Sequence, residues 1–193
     1  MKKILLLISL CPLFSFGASF DNRLSGSDSP KVSDTSYGKC YIYDDLAVLS
    51  RLTNDVVGEE ILVKDDDLTC EWNLDHGWLV DSGEASYFIG KWHNWLFIDR
   101  GTGVDFRDIV IYNMQTQALA YSDTYATPVK IKSDSLKYWQ NIPTLANKDN
   151  CDKYNQANEN GLSLQMQQLV SVDLSNNLLK MTTQSDYRCV FIQ

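Results

Sequence analysis

His93-Asn94-Trp95-Leu96-Phe97-Ile98-Asp99-Arg100-Gly101 is a short apolar run between two turn signals. Seventeen residues earlier stands its counterpart, His76-Gly77-Trp78-Leu79-Val80-Asp81-Ser82-Gly83. Both begin His-x-Trp-Leu and end Asp-x-Gly. Runs of this length, rich in aromatic and β-branched residues and bounded by Asp, Asn and Gly, are the mark of strands in hairpins. A helix needs a longer stretch with a period near 3.6.

The pattern spreads outward from that pair. Tyr41-Ile42-Tyr43, then Leu46, Val48 and Leu49, then Ile61-Leu62-Val63 are further apolar runs, the last stopped by Asp65, Asp66 and Asp67. Residues 68–72 and 87–89 continue it. A second echo is wider. Ile109-Val110-Ile111-Tyr112-Asn113-Met114-Gln115-Thr116 is matched sixty residues on by Leu169-Val170-Ser171-Val172-Asp173-Leu174-Ser175-Asn176. Each is a strand and a polar turn, followed by a returning strand at 118–121 or 178–181. This hairpin resembles a unit of β-propeller blades, but the chain is too short for a ring of four-stranded blades. The expected fold is all-β, mainly antiparallel and hairpin-rich, blade-like or sandwich, with one or two short helices. Residues 134–141 are predicted as two helical turns capped by Ser133 or Asp134 and stopped before Pro143. Residues 150–160 are predicted as a short polar helix ended by Gly161. Residues 162–174 alternate as a strand kinked near Gln167, and 188–192 read as a closing strand.

The first eighteen residues predict export. Lys2 and Lys3 precede an apolar stretch from Ile4 to Phe16, and Gly17, Ala18 and Ser19 supply a small-residue cleavage zone. Leu10 before Cys11 is wrong for a lipobox. The expected organisation is a signal peptide at 1–18, a flexible polar arm at 19–37 and one β-rich domain at 38–193. The expected location is periplasmic or secreted. No other stretch approaches the roughly 20 apolar residues of a membrane helix, so no stable membrane insertion is expected after cleavage. Cys40, Cys70, Cys151 and Cys189 then remain, an even number in an exported chain, and predict two disulfides. Three connectivities are possible; we favour Cys40–Cys70 with Cys151–Cys189, each stapling one half of the domain.

The formal net charge is −8, and losing Lys2 and Lys3 makes it more negative. Such a chain is expected to bind no nucleic acid and to avoid anionic lipid. Catalytic signatures are sparse. The run 79–83 contains the Asp-Ser-Gly of aspartic proteases, but its echo has Arg100 where Ser or Thr belongs. His76 and His93 are the two histidines, and a turn beside a core Trp accounts for each better than a metal site does. We therefore expect no catalytic residue, no cofactor, no metal and no enzyme. The expected role is protein binding in the cell envelope: an inhibitor or immunity protein on a basic hydrolase or toxin, steered by charge. The alternatives are a glycan or small-ligand binder, or an accessory subunit of an envelope sensor or secretion machine. The loops predicted at 99–108 and 122–127 supply the partner-binding candidates Asp99, Arg100, Thr102, Asp105, Arg107, Ser122 and Asp123. Trp92 joins them as an aromatic at the rim.

Overall fold

A computed structural model describes residues 24–52, 57–80, 83, 85–103 and 107–192. The predicted signal peptide, residues 19–23 of the predicted arm, Asp81 and Asp105 lie outside the described residues. The chain is mostly antiparallel sheet, as its punctuated apolar runs require. Strands β1 (Lys31–Asp34), β2 (Gly38–Ile42), β3 (Ala47–Leu52), β4 (Glu59–Lys64) and β5 (Trp78–Leu79) form a five-stranded meander. Strands β6 (Ser86–Trp92), β7 (Trp95–Arg100), β8 (Arg107–Asn113), β9 (Ala118–Lys132), β10 (Ser135–Asn141), β11 (Ser163–Asp173) and β12 (Lys180–Ile192) follow as a seven-stranded one. One helix, α1 (Tyr154–Asn160), precedes β11.

The stretch that predicts the fold lies at its centre. Trp95 and Phe97 of β7, with Ile109 and Ile111 of β8, enter one core beside Leu136, Tyr138, Val170 and Val172 of β10 and β11. Leu96, Ile98, Val110 and Tyr112, on the opposite face, enter a second core beside Tyr41, Val48, Ile61 and Val63 of the first sheet. Strands β7 and β8 are thus a middle layer buried on both faces, which explains their unbroken apolar runs. The seven-stranded sheet reaches both sides because the fifteen-residue β9 bends between β8 and β10. A register shift in its pairing with β10 marks the bend. Two indoles tie the halves together: Trp95 Nε1 donates to the Leu174 carbonyl at 3.0 Å and Trp92 Nε1 to Asp134 Oδ1 at 3.1 Å.

Disulfides join Cys40 to Cys70 and Cys151 to Cys189. The first clamps the 65–77 segment over the outer face of the first sheet, on Ala47, Leu49 and Leu62. Beneath that segment Lys64 is fully buried, its ammonium donating to Asp67 Oδ2 at 2.5 Å, Thr69 Oγ1 at 3.0 Å and the Glu71 carbonyl at 3.2 Å. The second disulfide forms a small cluster with Met166 beside α1.

Three expectations change. Residues 135–141 are strand β10, not helix. Ser133 and Asp134 both take positive φ, as a two-residue primed hairpin turn requires, and Leu136 and Tyr138 alternate inward. Residues 122–127 lie inside β9 and are no loop. The described part of the predicted arm is held in the fold. Leu24 is buried, and its N–H bonds the Ile89 carbonyl. Ser25 bridges to Lys130, and β1 pairs with β2. The end of the helix at Gly161 agrees with expectation, the glycine taking φ 64°, but the helix begins at Tyr154 and not at Asn150. The strand over 163–173 is continuous, with a register shift between Gln168 and Val170.

Candidate functional site

Strand β6 is the outer strand of its sheet, and its free edge is only partly covered. Leu24 and Asp28 donate their backbone N–H groups to the carbonyls of Ile89 and Lys91. Glu59, the first residue of β4, accepts the Phe88 N–H on Oε2 at 3.0 Å. Between these two covers opens a cleft of about 690 Å³, bounded by the 24–30 segment, β2, β4 and β6. Leu24, Tyr41, Tyr43, Leu52, Val57, Phe88 and Ile89 give it apolar and aromatic walls, and Lys39 and Glu59 stand on one side. Gly101, Thr102, Asp99 and Arg107 line the other.

Alternation along β4 puts Glu59 on the face of Ile61 and Val63, toward the second core. Its neighbour Glu60 turns outward and pairs with Arg51 at 2.6 Å. Burial raises the Glu59 pKa against the opposing pull of the Phe88 N–H, the Ser50 hydroxyl and the Lys39 charge. A carboxyl with a raised pKa in a cleft marks a binding-site candidate.

The opposite wall is a closed ion pair. Arg107 Nε donates to both Asp99 oxygens at 2.7 and 2.9 Å, and Nη2 to Oδ2 at 2.5 Å. Its Nη1 reaches the Gly103 carbonyl at 3.1 Å, and the Tyr87 ring lies 5.8 Å from the guanidinium. The side chains of Arg107 and Asp99 are 7% and 3% exposed. Burial works against the Arg107 charge, but the hydrogen bonds and charge of Asp99 outweigh it and leave the pKa raised. Tyr125, opposite Arg107 in the ladder, is held neutral by burial and by the Asp99 charge.

A second polar cluster lies further along β9. Asp123 accepts hydrogen bonds from both Tyr121 and Tyr138, and from Gln140 Nε2 at 2.8 and 2.9 Å. Burial and the Asp123 charge push the Tyr121 phenol up to about 12, against the Tyr138 hydrogen bond. The phenols therefore stay protonated and act as donors, and the carboxylate is saturated.

The partner-binding candidates scatter. Asp99 and Arg107 satisfy each other with little exposure, and both line the cleft. Arg100 pairs with Asp108 at 3.0 Å, partly exposed. Thr102 is exposed on the cleft. Ser122 is an exposed position of β9, and Asp123 belongs to the tyrosine cluster. Trp92 is half-buried and packs on the first core. It pairs with Trp95 across a two-residue turn, so both indoles share one face. His76 and His93 lie in separate turns, each facing one aspartate, Asp66 and Asp134. Among the described residues no three metal-ligating side chains converge. Sequence reading missed Lys39, Glu59, Tyr41 and Tyr43 as site residues. For Glu59 a signal existed: two steps along a strand from Ile61, it had to face the same way. No protein-family model, curated protein or solved structure matches this chain.

Proposed function

We propose that this is an exported, non-catalytic binding protein that holds a small amphiphilic ligand between its two sheets. The observation that carries the reading is the cleft itself. Its volume falls within the roughly 300–1,000 Å³ of small-molecule sites. Its walls join an apolar body of Tyr41, Tyr43, Leu52 and Phe88 to one charged side at Lys39 and Glu59, the mix that orients an amphiphile. Two disulfides fit an oxidising compartment, periplasmic or extracellular. No described helix is long and apolar enough to cross a membrane. Absence of catalysis is part of the proposal. It draws support from the way Asp99, Arg107, Asp123 and their tyrosines satisfy one another.

The test is titration with anilinonaphthalene sulfonate, an amphiphilic fluorescent probe. Leu52 is 71% exposed and lines the cleft, whereas Leu145 is 85% exposed and does not. Leu52→Glu is expected to weaken the probe's binding at least fivefold, and Leu145→Glu to leave it unchanged. Equal behaviour of the two variants refutes the reading.

A further inference from the structure

Pairing distributes the cations of this acidic chain unevenly. Arg51, Lys64, Lys91, Arg100 and Arg107 each meet a carboxylate. Lys130, Lys132 and Lys137 meet none among the described residues, as is also true of Lys31 and Lys148, and strand register is what gathers these three. All three lie on one surface. Ile131, Leu136 and Tyr138 point into the core, so alternation turns Lys130, Lys132, Lys137 and Trp139 outward. Lys130 stands directly opposite Lys137, and Lys132 opposite Ser135. At the far end of the same face the Arg188 guanidinium lies 4.5 Å over the Trp139 ring.

The cations therefore run along the β9–β10 seam. At about 3.3 Å per residue, the row from Ser135 to Asn141 covers roughly 20 Å. On the outward positions of β10 and β11 the acidic residue is Asp173, at one end, already held by Ser175 and Asn176. Like charges directly opposed across strands destabilise a sheet. The Lys130–Lys137 pair carries that penalty, and no ion pair among the described residues offsets it.

We propose that this face binds a linear anionic polysaccharide whose carboxylates or sulfates lie along the seam. Charge complementarity favours an anion, and the shape of the array favours a chain. The site is a row of three lysines, not a disc, ended by Arg188, whose Nε and Nη2 already donate to Gln167 Oε1 at 2.7 Å and to the Thr127 carbonyl at 3.1 Å. Trp139 lies beneath Arg188 on this face. The net charge of −8 opposes any polyanion at long range, so binding here rests on the local row of lysines and is expected to weaken steeply with salt.

The experiment is calorimetric titration of the purified protein with size-fractionated polygalacturonate at low ionic strength, beside phosphatidylglycerol vesicles. In Lys132→Glu/Lys137→Glu the change at 137 sets an opposite charge across from Lys130 and the change at 132 faces Ser135, which keeps the sheet intact, and a melting curve checks this. That variant is expected to bind polygalacturonate about tenfold more weakly or worse, with a shallower salt dependence. Lys31→Glu/Lys148→Glu makes the same net change elsewhere and is expected to bind as the unmodified protein does. Equal weakening in both variants, no binding by the unmodified protein, or binding to vesicles without binding to polygalacturonate overturns the proposal.

Discussion

Asp99 and Arg107 show how one residue's environment sets its role. On the exposed loop expected from sequence, they would be partners for another protein. In the fold they face each other at the edge of a core, nearly free of solvent. Removing one member of such a pair leaves a buried charge alone, at a cost of about 3–5 kcal/mol. Arg107→Met is predicted to lose stability on that scale, and Asp99→Asn/Arg107→Met to recover much of it, as urea unfolding will measure. Glu59 gives a pH-dependent counterpart. Its pKa is higher folded than unfolded, so the folded state is penalised as pH rises above about 4.3 and most of all above the folded value. Glu59→Gln keeps an acceptor for the Phe88 N–H and removes the penalty. That variant should melt higher than the unmodified protein at pH 7 and lose its advantage at pH 4. A constant advantage at both pH values would contradict the assignment.

At the scale of elements, the 65–77 and 24–30 segments are the devices that position the cleft and its sheets. Asp67 is held down to about 2, first by the hydrogen bond from Lys64 and then by those from Thr69. The stabilisation this carboxylate gives is present above the ordinary value near 3.9 and disappears as pH falls toward 2. Protection factors of the amides across residues 65–72, referenced to the intrinsic exchange rate at each pH, should therefore fall over that interval, before those of the β7–β8 amides. The 24–30 segment is seated at Gly26, which has φ 86°, and a Cβ there would stand 2.2 Å from the Ile131 carbonyl oxygen. Gly26→Ala is predicted to lift the segment from β9 and open one wall of the cleft, seen as new protease sensitivity at 24–30. At this scale the sequence was readable where burial imposed a pattern. The hairpins of β8–β9 and β11–β12 and the cap at Gly161 all have local causes. Strand β10 was misread because Ser133 and Asp134 serve equally as helix caps and as turn residues. The middle of β9 was misread because Asp123, a charged residue, faces inward with tyrosines to receive it.

For the whole molecule, the two sheets make three layers, and the middle one carries the apolar runs that announced the fold. Each half is fixed by its own disulfide, closing separations of 30 and 38 residues. Loops of that size are worth about 3–4 kcal/mol each. Cys151→Ala/Cys189→Ala should lose stability on that scale and leave the cleft's probe affinity unchanged, since the cleft lies in the other half. The cleft itself was not legible beforehand. It is assembled from the arm, β2, β4, β6 and the β7–β8 ends, residues brought together only by long-range packing. The same holds for the lysine seam, whose members are unremarkable until strand register aligns them. The most direct test of ligand binding is native mass spectrometry of the protein recovered from the cells that make it and from their medium. A stoichiometric small-molecule adduct is predicted, lost on Leu52→Glu and retained on Leu145→Glu. A bare polypeptide mass in every preparation, with no adduct formed on exposure to envelope lipid and glycan extracts, would contradict it.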